Sequence, residues 1–310
     1  MSVQWFPGHM HATRKAILER IKAIDVIIEM LDARLPGSSA NPMLAQITEG
    51  RPTLKVLNKQ DLADPQRTDA WLAHYNAMPG TRAIGLDAGT SAPARALITA
   101  CHELAPHRGG MVKPMRVLIG GIPNVGKSTL INTLVGKRAT KTGDEAGVTK
   151  QEQRIALADD FYLYDTPGML WPKIIVPQSG FHLAASGAVG RNAYDDEEVA
   201  LELLRQLGPA YAGLLENRYR WGWTADAIAR MKEEDLLAAI GRKRGALLPG
   251  GRLNAQKAAE IVLTDFRSGS LGRITLETPD EYTVWLRDAL RLEAELAAER
   301  KARQDARRGG

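Results

Sequence analysis

Apolar, β-branched runs alternate with amphipathic segments over the first half of the chain. "IDVIIEML", "TLKVLN", "TRAIGL", "MRVLIGG" and "FYLYD" read as strands, and "HATRKAILERIKAI" and "ARALITACHEL" carry helical spacing between them. Short apolar runs separated by helices predict a mostly parallel sheet covered on both faces. The Gly/Pro-containing stretch "PHRGGMVKP" (106–114) interrupts the pattern and reads as a linker between two halves of the sheet. Beyond about residue 175 the strand pattern stops. "DEEVALELLRQL", "KEEDLLAAI" and "NAQKAAEIVLTDF" then carry helical periodicity. The expected fold is an α/β domain over residues 1–175, followed by a smaller α-helical domain over 176–310. The last stretch, "RLEAELAAERKARQDARRGG", is helix-prone and ends basic, with five Arg/Lys against one Asp from 300 to 308. It fits either a solvated helical tail or added charge for RNA contact.

Composition narrows this picture. A length of 310 residues suits about two domains. A hydrophobic share of 44% allows a sizeable core. The excess of 41 basic over 36 acidic residues is compatible with a nucleic-acid partner without requiring one. Cys101 is the lone cysteine, which excludes an intrachain disulfide and fits a reducing compartment. "MSVQWFPGHM" lacks the basic start and apolar stretch of a signal peptide, and no apolar run is long enough to cross a bilayer. A cytoplasmic protein with no membrane partner is expected.

The first candidate chemistry is "GIPNVGKS" (121–128), which fits G-x-x-x-x-G-K-[ST] between an apolar strand and a plausible helix. Gly121 and Gly126 let the backbone wrap phosphates with its N–H groups turned inward. Lys127 neutralises the β- and γ-phosphates, the Ser128 hydroxyl suits Mg²⁺, and the helix N-terminus favours anions. "FYLYDTPG" ends a strand in Asp165, which can hold Mg²⁺ through water, and Gly168 offers its N–H to the γ-phosphate. Between the two lies "TGDEAGVTK". A threonine there would complete the Mg²⁺ shell, with Thr149 preferred and Thr142 its competitor.

The second is "NKQD" (58–61) at the end of "RPTLKVL". A carboxylate at Asp61 can accept from both N1–H and the N2 amine of guanine, a donor pair that adenine lacks. Asn58 can bond the other base edge and the Lys59 stem can cover the ring. The expected nucleotide contacts are therefore Asn58, Lys59, Asp61, Asn124, Val125, Gly126, Lys127, Ser128, Thr129 and Gly168, with GTP or GDP as ligand. Lys127 and Gly168 are the expected catalytic groups at the γ-phosphate. Here the base segment precedes the phosphate loop. Such a site needs its loops at the carboxyl ends of parallel strands, in any chain order, so the reading is a circularly permuted P-loop GTPase. One consequence is that "DTPGML" leads almost directly into the helical domain.

The order base motif, phosphate loop, "GVT", "DTPG", with "WFPGHM" at the start and "LNAQKAAEIVLTDFRSGSLGRITLETP" near the end, resembles the circularly permuted ribosome-assembly GTPases of the RbgA/YlqF family over nearly the whole chain. The resemblance implies a GTPase that binds the maturing large ribosomal subunit and its rRNA, acts in late assembly, is stimulated by the subunit and is monomeric away from it. Two departures stand out. Ala146 occupies a position where the family usually has proline, and "IGLDAGTSA" matches the second base-contacting loop poorly, so no residue is assigned there. An RNA-assembly module in which nucleotide only orders the fold, and a GTPase of tRNA modification, are the competing readings.

Met169 follows "DTPG" where many GTPases place a glutamine that orients the attacking water; a thioether cannot do so. The family resemblance implies His9 for this role. Otherwise Trp5, Phe6 and Pro7 simply pin the N-terminus to the sheet. Asn124 also fits the asparagine with which related potassium-dependent GTPases hold K⁺, or else it satisfies the loop backbone. "ENRYRWGW" (216–223) interleaves Arg218 and Arg220 with Tyr219, Trp221 and Trp223, and "GRKRG" (241–245) adds charge. This composition suits RNA, or equally a core of aromatics with surface arginines.

Overall fold

The computed structural model describes residues 18–87, 90, 93–110, 112–135, 153–171 and 173–308. The expectations for His9, Thr142 and Thr149 lie outside the described residues. The strands are β1 (Val26–Asp32), β2 (Thr53–Asn58), β3 (Thr81–Gly85), β4 (Met115–Gly121), β5 (Gln153–Ala158) and β6 (Phe161–Asp165). They form one sheet in the order β3-β2-β1-β4-β6-β5, parallel throughout except where β5 pairs antiparallel with β6. Every residue of β1 is buried, as a central strand covered on both faces requires. Its two acids, Glu29 and Asp32, are therefore buried too.

Register aligns the carboxyl ends. Asp32 pairs with Asn58, Met30 with Gly121 and Ile119 with Asp165. The base motif, the phosphate loop and the D-T-P-G segment thus leave the same edge of the sheet. Strand β1 lies between β2 and β4, so Asp32 stands between the base motif and the phosphate loop. The linker of residues 106–114 runs from α3 (Pro93–Leu104) to β4.

The helical elements of the second half begin with α5 (Pro177–Ser186), after α1 (Pro42–Ile47), α2 (Pro65–Asn76), α3 and α4 (Lys127–Val135). They continue as α6 (Asp196–Tyr219), α7 (Ala225–Ala229), α8 (Glu233–Lys243), α9 (Ala255–Arg267) and α10 (Pro279–Arg308). Helix α9 shows why it folds: Ala258, Ala259, Val262, Leu263 and Phe266 fall on one face and all are buried. Asn254 caps its first turn by accepting from the Lys257 N–H. Helix α6 runs further than the periodicity of "DEEVALELLRQL" suggests. It passes Gly208 and Pro209 and bends at Tyr211 (φ −135°, ψ 30°), because proline removes a backbone donor without ending a helix that tertiary packing holds on both sides. Leu203, Leu204, Leu207, Leu215 and Tyr219 bury the α6 face against α8 and α9.

The two halves join along a short polar seam. The residues after α9 return to the sheet, where the Leu276 N–H donates to the Arg34 carbonyl at 2.7 Å and the Ile274 N–H to the Leu62 carbonyl at 2.9 Å. Trp71 of α2 donates its indole N–H to the Glu277 carbonyl at 3.0 Å and meets Tyr282 of α10 edge-on. Beneath them Glu277 accepts from the Ser38 N–H and hydroxyl, and the His182 ring of α5 lies 2.8 Å from the same carboxylate. Ser38, Trp71, His182 and Glu277 are all buried, so their polar atoms must find partners within the seam.

Candidate functional site

The phosphate loop turns between β4 and α4. Asn124 (φ 57°) and Gly126 (φ 95°) both take left-handed backbone, which lets the loop turn tightly. Lys127 opens α4 and is buried, and its ammonium bonds the Asp165 carboxylate at the end of β6. Burial pushes the Lys127 ammonium below its ordinary value, and Asp165 offsets part of that. Ser128 is half-buried and Thr129 exposed at the same helix N-terminus. Gly168 packs so close to Pro123 of the phosphate loop that an added Cβ would lie 3.1 Å from the proline Cα. The Met169 N–H donates to the Gly121 carbonyl at 3.0 Å. The loop after β6 therefore sits directly against the phosphate loop.

Met169 itself is fully buried, packed with Leu44, Ile47, Leu118 and Tyr164. Its carbonyl accepts from the Asn41 amide at 3.0 Å. The residue after D-T-P-G is a core side chain here, which gives a packing reason for the thioether the sequence shows.

The base motif is tied to the phosphate loop by its first two residues, Asn58 and Lys59. Asn58 donates its amide to the Val125 carbonyl at 2.8 Å, and Lys59 donates to the Asn124 carbonyl at 2.7 Å and to Asp32 at 3.0 Å. These contacts fix loop to loop, a use that the tetrapeptide alone does not reveal. Lys59 adopts left-handed backbone (φ 62°), and a 3₁₀ turn over Gln60–Leu62 leaves Asp61 exposed. Asp61 thus presents its carboxylate to solvent on a loop docked to the phosphate loop.

Asp32 and Arg34 were not legible as site residues. Arg34 is buried and grips Asp32 through Nε (2.9 Å) and Nη2 (2.7 Å), while its Nη1 donates to the Phe266 carbonyl at 3.2 Å. Burial alone would raise the Asp32 carboxyl, but Arg34 and Lys59 outweigh it and hold the group well below the usual carboxylate range. The same opposition acts on Arg34, where burial lowers and Asp32 more than restores its basicity. The available signal was "LDAR", an acid and an arginine two apart at the end of an apolar strand.

The phosphate loop also touches the helical half. The Asn124 amide donates to the carbonyl of Gly187, the left-handed residue that ends α5, at 2.8 Å. In the Arg/aromatic segment, Arg218 forms a bidentate pair with Asp265 (2.9 and 2.6 Å) and Tyr219 is buried with its hydroxyl 3.1 Å from the same carboxylate. Trp221 and Trp223 stack on one another with ring centroids 4.8 Å apart. Trp223, Arg220, Arg242 and Lys243 are exposed. The segment is thus part core and part surface.

The family model described as "50S ribosome-binding GTPase" matches residues 116–203. That span runs from β4 through D-T-P-G into α6, and the base motif lies upstream of it, as a permuted order requires. Over 300 residues the chain is 40% identical to ribosome biogenesis GTPase A of Bacillus cereus, covering 94% of this chain and 99% of the relative. The chain belongs to the ribosome biogenesis GTPase A family. It is 39% identical to the Priestia megaterium member, over 91% of this chain and 98% of that one. The GDP-bound structure of a YlqF protein shares the fold at a TM-score of 0.63 and 24% identity, over 86% of this chain and 99% of that chain. The chain is a GTPase that binds guanine nucleotide. Among the described residues no helix is long and apolar enough to cross a membrane.

Proposed function

We propose that this GTPase is a switch in the late assembly of the large ribosomal subunit, binding the precursor particle and its rRNA through the helical half. The printed names of its relatives support a ribosomal role, and the contact of Asn124 with Gly187 is the observation that supports a switch. A change at the phosphate loop or in the D-T-P-G segment has one short step to α5. Arg220, Trp221, Trp223, Arg242 and Lys243 are the RNA-facing groups in this reading, with the basic end of α10 beside them in function. The division is a GTPase domain over 1–175 and an RNA-binding domain over 176–310, in a cytoplasmic protein that is monomeric off the particle.

At the site, Asp61 accepts from guanine, the phosphate-loop N–H groups and Lys127 hold the phosphates, and Gly168 donates to the γ-phosphate. Ser128 and Asp165, with Thr149, are the residues that would hold Mg²⁺. They offer only oxygen donors, and no cluster of three or more His, Cys, Asp or Glu exists among the described residues, which suits an ion that keeps water and phosphate oxygens as most of its ligands. When bound, Mg²⁺ supplies charge neutralisation at the β- and γ-phosphates. His9 orients the attacking water, since Met169 is committed to the core. Asn124 is the residue that would serve K⁺; its amide already donates to Gly187, so a cation there would share the side chain with the domain contact.

The test is a titration of labelled protein against a large-subunit precursor, with GDP or a non-hydrolysable GTP analogue, at two salt concentrations. A ligand shifts a switch only by its differential affinity for the two states, and roughly 5–150-fold tighter binding with the analogue is expected. Affinity should also fall steeply with salt as counterions are released. Equal affinity in both nucleotide states would leave a GTP-binding assembly factor without a switch.

A further inference from the structure

Residues 273–277, "RITLE", form a strap whose first three residues are fastened to the base-recognition loop. The Arg273 Nε donates to the Ala63 carbonyl at 2.8 Å and its Nη2 to the Gln60 carbonyl at 3.1 Å. The Ile274 N–H donates to the Leu62 carbonyl at 2.9 Å. Thr275 accepts from the Asp64 N–H at 3.1 Å and donates its hydroxyl to the Ala33 carbonyl at 3.0 Å. The carbonyls of Gln60, Leu62 and Ala63 are thus all held from the strap, and Asp61 sits among them with its carboxylate exposed. The other face of the strap belongs to the helical core, where Leu271, Ile274 and Leu276 pack with α6 and α9. Gly269, just before it, closes against Leu62: an added Cβ would lie 2.6 Å from the leucine Cδ2.

A short 3₁₀ turn has few bonds of its own, so its geometry is set by what it is docked to. Recognition of guanine by one carboxylate needs both oxygens placed at the same time, and a loop free to drift loses the second bond before the first. We infer that Arg273 is a positioning residue for guanine recognition: by clamping the carbonyls on either side of Asp61 it sets the selectivity of the site for guanine. Through the same clamp the helical half acts on the base, independently of the phosphate side. The inference rests on Asp61 as the guanine acceptor.

The measurement is affinity for GDP against inosine diphosphate, which lacks the exocyclic amine and with it one of the two bonds to Asp61. The wild type should prefer GDP by about tenfold or more, the worth of one hydrogen bond to a charged group. Arg273→Ala should lose most of that preference because GDP weakens more than inosine diphosphate does. Arg273→Lys, whose single ammonium reaches one carbonyl at a time, should fall between them and stays testable if the alanine variant folds poorly. A merely structural role would weaken both nucleotides alike and leave the ratio untouched. An unchanged ratio in both variants overturns the inference. A parallel arm with Asp61→Asn and xanthosine diphosphate separates the two failures. If that variant gains no affinity for xanthosine diphosphate, Asp61 is not the acceptor and the inference falls with it; if it does gain affinity while the Arg273 ratio stays flat, Arg273 alone is at fault.

Discussion

The side-chain amide of Asn58 lies across Gly126. A Cβ on that glycine would fall 2.3 Å from the Asn58 Nδ2, and the same amide donates to the Val125 carbonyl next door. Two motifs 67 residues apart in sequence interlock at one backbone position.

Gly126→Ala is therefore expected to act twice. It places a side chain at φ 95°, and it pushes Asn58 off Val125. Nucleotide affinity should drop by at least tenfold, since about 1.4 kcal/mol corresponds to that factor and strained backbone alone costs roughly 1–3 kcal/mol. Calorimetric titration with GDP, alongside a circular dichroism spectrum that stays unchanged, checks this.

Asp32→Asn should destabilise the fold by roughly 3–5 kcal/mol, because Arg34 is left as an uncompensated buried charge. The pH dependence has a definite sign. The Asp32 carboxyl is held well below its unfolded value of about 3.9. Its contribution is therefore fully present above pH of about 4 and is lost as pH falls below that toward the folded value. Urea unfolding at neutral and acid pH should show the wild type losing its advantage over Asp32→Asn only in the acid range. A constant difference down to the lowest pH at which both fold would count against the ion triad.

Asp61→Asn should exchange guanine for xanthine preference, because the amide donates where the carboxylate accepted. Competition of labelled GDP with xanthosine diphosphate reads this directly. Retained preference for guanine would place recognition elsewhere.

His9→Ala should lower turnover yet leave the GTP dissociation constant nearly unchanged, the behaviour of a group that acts mainly in the transition state. Single-turnover hydrolysis with ribosomal subunits present is the assay. Full activity would move water orientation to another residue or to the particle.

Much of this protein was written locally. The strands, the Gly-rich loop, the D-T-P-G turn and the N-K-Q-D tetrapeptide are short-range patterns, readable because hydrophobic period and turn chemistry act over a few residues. Even the permuted order followed from their sequence, and β2, β1, β4 and β6 do bring the motifs to one sheet edge. What supports the motifs was decided by packing over long range. Asp32 meets Lys59 because β1 threads between β2 and β4, and Arg34 meets Phe266 from 232 residues away. Arg218 and Tyr219 turn inward to Asp265 while Trp223 stays outside, a division that "ENRYRWGW" does not contain. Arg273 and Gln60 are 213 residues apart. No local propensity encodes such a pair; packing of Leu271, Ile274 and Leu276 into the helical core carries the strap past the base-recognition loop and so brings the two together.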